Sequence, residues 1–127
     1  MEGVAAQYVA AYYKSAVLGQ NDVSQFYDQN AFVYRPGMPE TGTGSPKPSE
    51  IALPIEHESK VVIAGYTVLP VPMNGMAITA TGTVSNGNET LPFCQNFTLN
   101  YMWNRWFVTT DSFNWLLDPV PVKTEHY

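Results

Sequence analysis

The side chains in this 127-residue chain that could move a proton or attack a carbonyl are Asp28, Tyr34, Glu56, His57, Cys94 and Asp111. A carboxyl held among apolar neighbours has a raised pKa and can pass a proton; a thiol needs a nearby base before it becomes a nucleophile. Their spacing gives no convincing pair. His57 falls in the polar run Glu56-His57-Glu58-Ser59-Lys60, which reads as a solvated turn before a strand, and His126 lies in the tail. Cys94 has no histidine near it in sequence and alternates with Asn96 and Thr98, as a free thiol on a sheet face does. A single cysteine excludes an internal disulfide and offers no metal-ligand spacing, so no metal is expected. Gly42-Thr43-Gly44 lacks the strand before it and the helix after it that a phosphate loop needs, and no cofactor is expected.

These residues are positioned by helices first and strands after. Val4, Tyr8, Ala11, Tyr12 and Ser15 recur at three- and four-residue steps and predict an amphipathic helix over about 3–18, closed by Gly19. Asp22 with Gln25 three residues on predicts the cap of a second helix carrying Val23, Phe26 and Tyr27 inward. Residues 36–49, rich in proline and glycine, read as a loop, with one helical turn possible over Ser49–Leu53 before Pro54. Thereafter strands are expected near 58–70, 76–85, 91–101 and 106–116, separated by Asn74-Gly75, Asn86-Gly87 and the Met102-Trp103-Asn104-Arg105 turn. Large apolar residues alternate with small polar ones from Phe93 to Leu99, so Phe93, Gln95, Phe97 and Leu99 should face the helices and Cys94, Asn96 and Thr98 should face outward. The layout is α+β, a single domain over residues 1–127.

Composition narrows the function. The chain is 45% hydrophobic, enough for one core, and its net charge of −5 with six Lys and Arg supplies no basic stripe for nucleic acid or an acidic membrane. No apolar run has the length of a bilayer span, no signal-peptide pattern opens the chain, and a reducing compartment is expected. Two sequons, Asn88-Glu89-Thr90 and Asn96-Phe97-Thr98, read as chance occurrences, the second because it lies inside a strand.

Phe93-Cys94-Gln95-Asn96-Phe97, with its Gln between aromatics, Asp111-Ser112-Phe113 on the next strand, Tyr12-Tyr13 ending a helix, Phe26-Tyr27 closing a second and Phe32-Val33-Tyr34 opening a strand occur in one order. This order resembles the nuclear transport factor 2-like family from about Tyr8 to Leu116. The resemblance implies a cone in which helices pack on a curved antiparallel sheet. It also implies that Asp111, in a motif shared by non-enzymatic members, is a hydrogen-bonding anchor at the sheet edge rather than a catalytic group. Scaffold members suggest that Tyr8, Phe26 and Phe113 line a shallow groove for Phe-Gly-containing peptides, including those of nucleoporins. The outward face with Cys94, Asn96, Thr98 and Ser112 would be the contact of a homodimer or a heterodimer with a family partner. At places where Ran-binding members carry acidic contacts, this chain has Arg35, Asn86 and Asn88. An aromatic cone lining of Tyr12, Phe32, Tyr34, Tyr66, Phe97 and Phe107 is expected, with no catalytic residue. These expectations amount to a non-enzymatic adaptor of nucleocytoplasmic transport or ribonucleoprotein assembly, working in cytoplasm and nucleus. The alternatives are a scaffold or deubiquitinase-cofactor domain, or a small isomerase or dehydratase of the same fold.

Overall fold

The computed structural model describes residues 2–17, 24–36, 48–55, 59–86 and 89–116. Helix α1 (Glu2–Ala16) is followed by a 3-10 turn (Ser24–Phe26), strand β1 (Tyr27–Tyr34), the short helix α2 (Pro48–Ile51) and strands β2 (Lys60–Val71), β3 (Gly75–Ser85), β4 (Thr90–Met102) and β5 (Arg105–Trp115). One five-stranded sheet has the order β1-β5-β4-β3-β2. The β2 to β5 meander is antiparallel throughout, and β1 adds to it in parallel beside β5.

The expected strands are present, each within about two residues of its expected ends. The helical part differs in two ways. The inward stripe of α1 is Ala5, Tyr8, Val9, Tyr12 and Tyr13, an i, i+3, i+4 pattern one step round from the expected one, and Ala11 is exposed. The expected second helix shrinks to Ser24–Phe26, and Tyr27 opens β1 instead of closing a helix. Tyr27 pairs with Val108 and its hydroxyl donates to Asp111, tertiary contacts that override the local capping signal. The expected cap residue Asp22, the inward-facing Val23, the helix stop Gly19 and most of the Pro/Gly loop lie outside the described residues.

Turn chemistry sets the register. Met102 pairs with Arg105 across a two-residue loop in which Trp103 (φ 49°) and Asn104 (φ 62°) are left-handed, the form that matches strand twist. In the β2–β3 turn the left-handed residues are Met73 (φ 68°) and Asn74 (φ 54°), one step before the expected Asn-Gly pair. Gly75 begins β3 instead, where a Cβ would meet the Asn100 side chain at 2.7 Å. Gly82 is tighter still: a Cβ there would lie 2.1 Å from the Val62 carbonyl oxygen, beside the bulge where β2 slips by one residue between Ile63 and Gly65. A bulge raises local twist.

The concave face holds Phe93, Gln95, Phe97 and Leu99, as the alternation predicts. They join Met76, Ile78 and Ala80 of β3 and Val108 and Phe113 of β5 under the α1 tyrosines. Aromatic contacts join helix to sheet, Tyr12 to Phe97 at 4.8 Å between ring centroids and Tyr8 to Phe97 at 5.2 Å, and within the sheet Phe93 stacks on Phe113 at 5.0 Å. Full burial of such a side chain is worth about 1.5–3 kcal/mol. The expected cone lining is correct for Tyr12 and Phe97 and wrong for the rest. Val33 pairs with Asp111, so its neighbours Phe32 and Tyr34 fall on the convex face, where they are 52% and 38% exposed. Phe107 pairs with Asn100 on that face as well, under the Arg105 guanidinium. Tyr66 shares the register of Ala80, but edge strand β2 leaves it exposed.

Candidate functional site

Continuing the alternation Ala31, Val33 one step beyond β1 brings Arg35 to the concave face, where it is 2% exposed. Its Nη2 lies 2.7 Å from Asp111 Oδ2. The guanidinium also donates from Nη2 to the Ile51 carbonyl at 2.8 Å, from Nε to that of Ala52 at 3.2 Å and from Nη1 to that of Tyr34 at 2.9 Å. It thereby ties α2 and the end of β1 to the middle of β5. Asp111 accepts in addition from the Tyr27 hydroxyl on Oδ2 and from Gln95 Nε2 on Oδ1 at 2.8 Å. Gln95 is satisfied in turn: Nε2 donates to the Tyr12 hydroxyl at 3.1 Å, and Oε1 accepts from the Tyr13 hydroxyl at 2.8 Å. The hydroxyls of Tyr12 and Tyr27 are 3.2 Å apart.

Burial pushes the phenols of Tyr12, Tyr13 and Tyr27 well above their usual range, and the negative Asp111 carboxylate adds to the effect. Burial alone would lower the Arg35 pKa; the adjacent Asp111 more than offsets it, so the pKa is raised. Asp111 is thus an anchor, as its motif implies, but it joins β1 to β5 rather than finishing a sheet edge, because β1 lies outside β5. Arg35 is a buried partner of that anchor rather than a surface position. A depression of about 470 Å³ on the convex face is lined by Phe32, Val33, Tyr34, Thr110, Asp111 and Ser112. The Asp111 side chain has no exposed surface, so only its main chain borders that space.

The other candidates are scattered. Asp28 accepts from the backbone amide of Asn30, two residues on, at 3.1 Å. Glu56, His57, Asn88 and His126 lie outside the described residues, and Asn86, within them, is exposed. Among the described residues no group of three His, Cys, Asp or Glu could hold a metal, and no helix is long and apolar enough to cross a membrane. Tyr8 and Phe26 meet edge to face at 5.6 Å, with Tyr8 8% exposed and Phe26 half-buried. Phe113 has no exposed surface and packs between Phe93 and Trp115, so it offers a peptide nothing to touch. Cys94, Asn96, Thr98 and Ser112 do share the convex face. Two cross-strand rows run over it through all five strands: Phe32, Thr110, Thr98, Ala77 and Leu69, and beside it Tyr34, Ser112, Asn96, Thr79 and Thr67.

Helix α1 on the concave side of a curved five-stranded sheet, with β1 added in parallel outside an antiparallel meander, is the nuclear transport factor 2-like fold. The structure of Ntf2 from Cryptosporidium parvum superposes with a TM-score of 0.75 at 20% identity, over 90% of this chain and 93% of that one. The yeast complex of the deubiquitinase Ubp3 with its cofactor Bre5 matches at 0.71 and 15% identity, over 91% and 96%. A ketosteroid isomerase candidate of Shewanella frigidimarina matches at 0.66 and 11% identity, over 85% and 92%. No protein-family model matches the chain, and no curated protein matches it. The fold expected from the sequence is therefore shown, and the similar structures include both interaction domains and enzyme candidates.

Proposed function

We propose that the protein is a non-enzymatic adaptor whose convex sheet face is its principal interface, joining a second copy or a related domain. The carrying observation is the pair of cross-strand rows, apolar at the rims, where Phe32 is 52% and Leu69 64% exposed, and hydroxyl- and amide-rich between them. Such a face suits a wet but specific isologous contact on the order of 1,600 Å² in total. The non-enzymatic reading draws support from Asp111, whose oxygens are engaged by Arg35, Gln95 and Tyr27 inside an aromatic core. An isomerase or dehydratase needs its carboxylate open to a substrate cavity.

Likeness to Ntf2 supports a role in nucleocytoplasmic transport, in cytoplasm and nucleus, and likeness to the Ubp3–Bre5 complex supports a scaffold or deubiquitinase-cofactor role. In either role a Phe-Gly-type peptide, of nucleoporin or scaffold-ligand type, is received at Phe26 and the rim of Tyr8. Sedimentation at micromolar concentration tests the interface: a species of twice the 14.1 kDa chain mass is expected, and a monomer that also ignores a related domain overturns the reading. Phe26→Ala tests the groove. A loss of ~2 kcal/mol in peptide affinity with the fold intact is expected; unchanged binding removes the groove.

A further inference from the structure

Strand β2 ends the sheet on the side away from β1, and among the described residues no strand pairs with its outer edge. We propose that this edge pairs antiparallel with the same edge of a second copy, a contact separate from the convex face. Sheet edges are ordinarily kept from pairing by charged side chains, proline or a bulge. Here Lys60, the first residue of β2, is followed by no charged residue until Glu89, and Pro70 stands one place from the strand's end. The bulge falls between Ile63 and Gly65, which leaves Gly65-Tyr66-Thr67-Val68-Leu69 in regular register, uncharged and free of proline. Such a stretch is a template for another strand.

Burial gives a second, independent observation. In a strand with one covered face exposure alternates, yet Ala64, Gly65, Tyr66 and Thr67 are exposed in succession. Both faces of β2 are therefore open at the middle of the edge, and Leu69 beyond it is 64% exposed. The occupant follows from the residues of the edge. The rest of this chain outside the sheet is poorly suited: Pro36, Pro39, Pro46 and Pro48 interrupt one segment and Pro119 and Pro121 another, and proline cannot donate to a ladder. A second β2 fits well. Antiparallel pairing centred on Thr67 sets that residue against its twin, Tyr66 against Val68 of the second copy, and Gly65 against Leu69 of the second copy. Tyr66 and Val68 lie opposite Ala80 and Ile78 on the concave side, so an aromatic meets a β-branched residue on one face while leucine covers glycine on the other. The two Lys60 residues go to opposite ends, and no like charges meet. A contact of this length is smaller than a standard interface, so it forms at higher concentration than the convex one. Two different two-fold contacts carry the chain past the dimer, into a closed tetramer or an open row.

Sedimentation of the full chain from micromolar to submillimolar concentration, with Asn96→Arg, Tyr66→Lys and the double variant, separates the contacts. The unaltered protein should pass beyond the dimer. Tyr66→Lys should stop at the dimer, the dissociation constant of the edge contact rising at least about tenfold, because two lysines become diagonal neighbours across it. Asn96→Arg should still self-associate, with amide hydrogen exchange over Gly65–Leu69 slowing as concentration rises, and the double variant should be monomeric. Should Tyr66→Lys fail to fold, Gly65→Lys replaces it, since a Cβ at Gly65 has nothing within 4 Å. An Asn96→Arg protein that stays monomeric at submillimolar concentration overturns the proposal, as does a Tyr66→Lys protein that assembles like the unaltered chain. Slowing of exchange at Gly65–Leu69 only when a related domain is added gives the edge to a different partner and overturns it too. If Tyr66→Lys alone is monomeric while Asn96→Arg associates unchanged, the edge contact stands and the convex one falls.

Discussion

Arg35 and Asp111, 76 positions apart in the chain, form a buried ion pair at 2.7 Å that fastens the first strand of the sheet to the last. Removing one partner of such a pair strands the other, and the cost follows from desolvation rather than from the strength of the bond. Asp111→Asn should therefore lose about 3–5 kcal/mol of unfolding free energy, read as a lower urea midpoint. Combining Arg35→Met with Asp111→Leu should lose much less than the single change, because neither charge is then left alone. A double variant as damaged as Asp111→Asn would mean that the network matters for more than charge balance.

Alkaline pH should unfold the protein through its tyrosines. Tyr8, Tyr12, Tyr13 and Tyr27 all have pKa values raised by burial first. The folded value lies above the unfolded one, so the stabilising contribution is complete below the unfolded pKa of about 10 and is lost as pH climbs above it. Each buried phenol contributes up to about 1.4 kcal/mol per pH unit in that window. Ionisation of these four rings, followed ring by ring by NMR, should accordingly coincide with loss of near-ultraviolet circular dichroism. Ionisation of these rings in a chain that stays folded would contradict the network.

The convex face makes a separate prediction. Asn96 lies at the middle of the second cross-strand row and accepts from Thr79 Oγ1 at 2.8 Å. Asn96→Arg should raise the dimer dissociation constant at least about tenfold, since two copies of the charge meet across a two-fold contact. Thermal unfolding of the isolated monomer should change by less than about 1 kcal/mol, because the site is exposed. Sedimentation and calorimetry on one preparation separate the two effects.

Gly82→Ala should be costly for a steric reason alone. The added methyl would lie 2.1 Å from the Val62 carbonyl oxygen, so β2 must move off β3 at the bulge. A loss of about 1–3 kcal/mol is expected in chemical unfolding, as for other overpacked sites. Gly65→Ala, with nothing within 4 Å of its added carbon, is the matched control.

The meander was legible in the sequence because one strand face is buried and one is wet, so Phe93 to Leu99 announces its own register. The left-handed turn at Trp103-Asn104 was legible for a similar reason, being bounded by those alternations. Strand β1 was not. Its alternation is interrupted by a shift between Tyr27 and Phe32, and the two exposed aromatics Phe32 and Tyr34 imitate a buried face. Arg35 was hidden because it precedes Pro36 at what reads as a loop entrance, and its partner is distant in sequence. A charged residue completing the Ala31, Val33 alternation was the available signal. The outward set Cys94, Asn96, Thr98 and Ser112 came from period alone, whereas Phe113 looked accessible only by analogy and is core.

The parallel seating of β1 beside β5 fixes an order of events at the ribosome. Strands β2 to β5 contact their sequence neighbours through tight turns and can pair as they emerge, but the dock for β1 exists only once β5 has been made. Until then α1 and β1, synthesised ahead of the meander, carry Tyr8, Tyr12, Tyr13 and Tyr27 without their sheet. Early chaperone dependence should thus centre on α1 and β1, and a ribosome stalled before Asp111 should hold an unfinished sheet with β1 unclaimed.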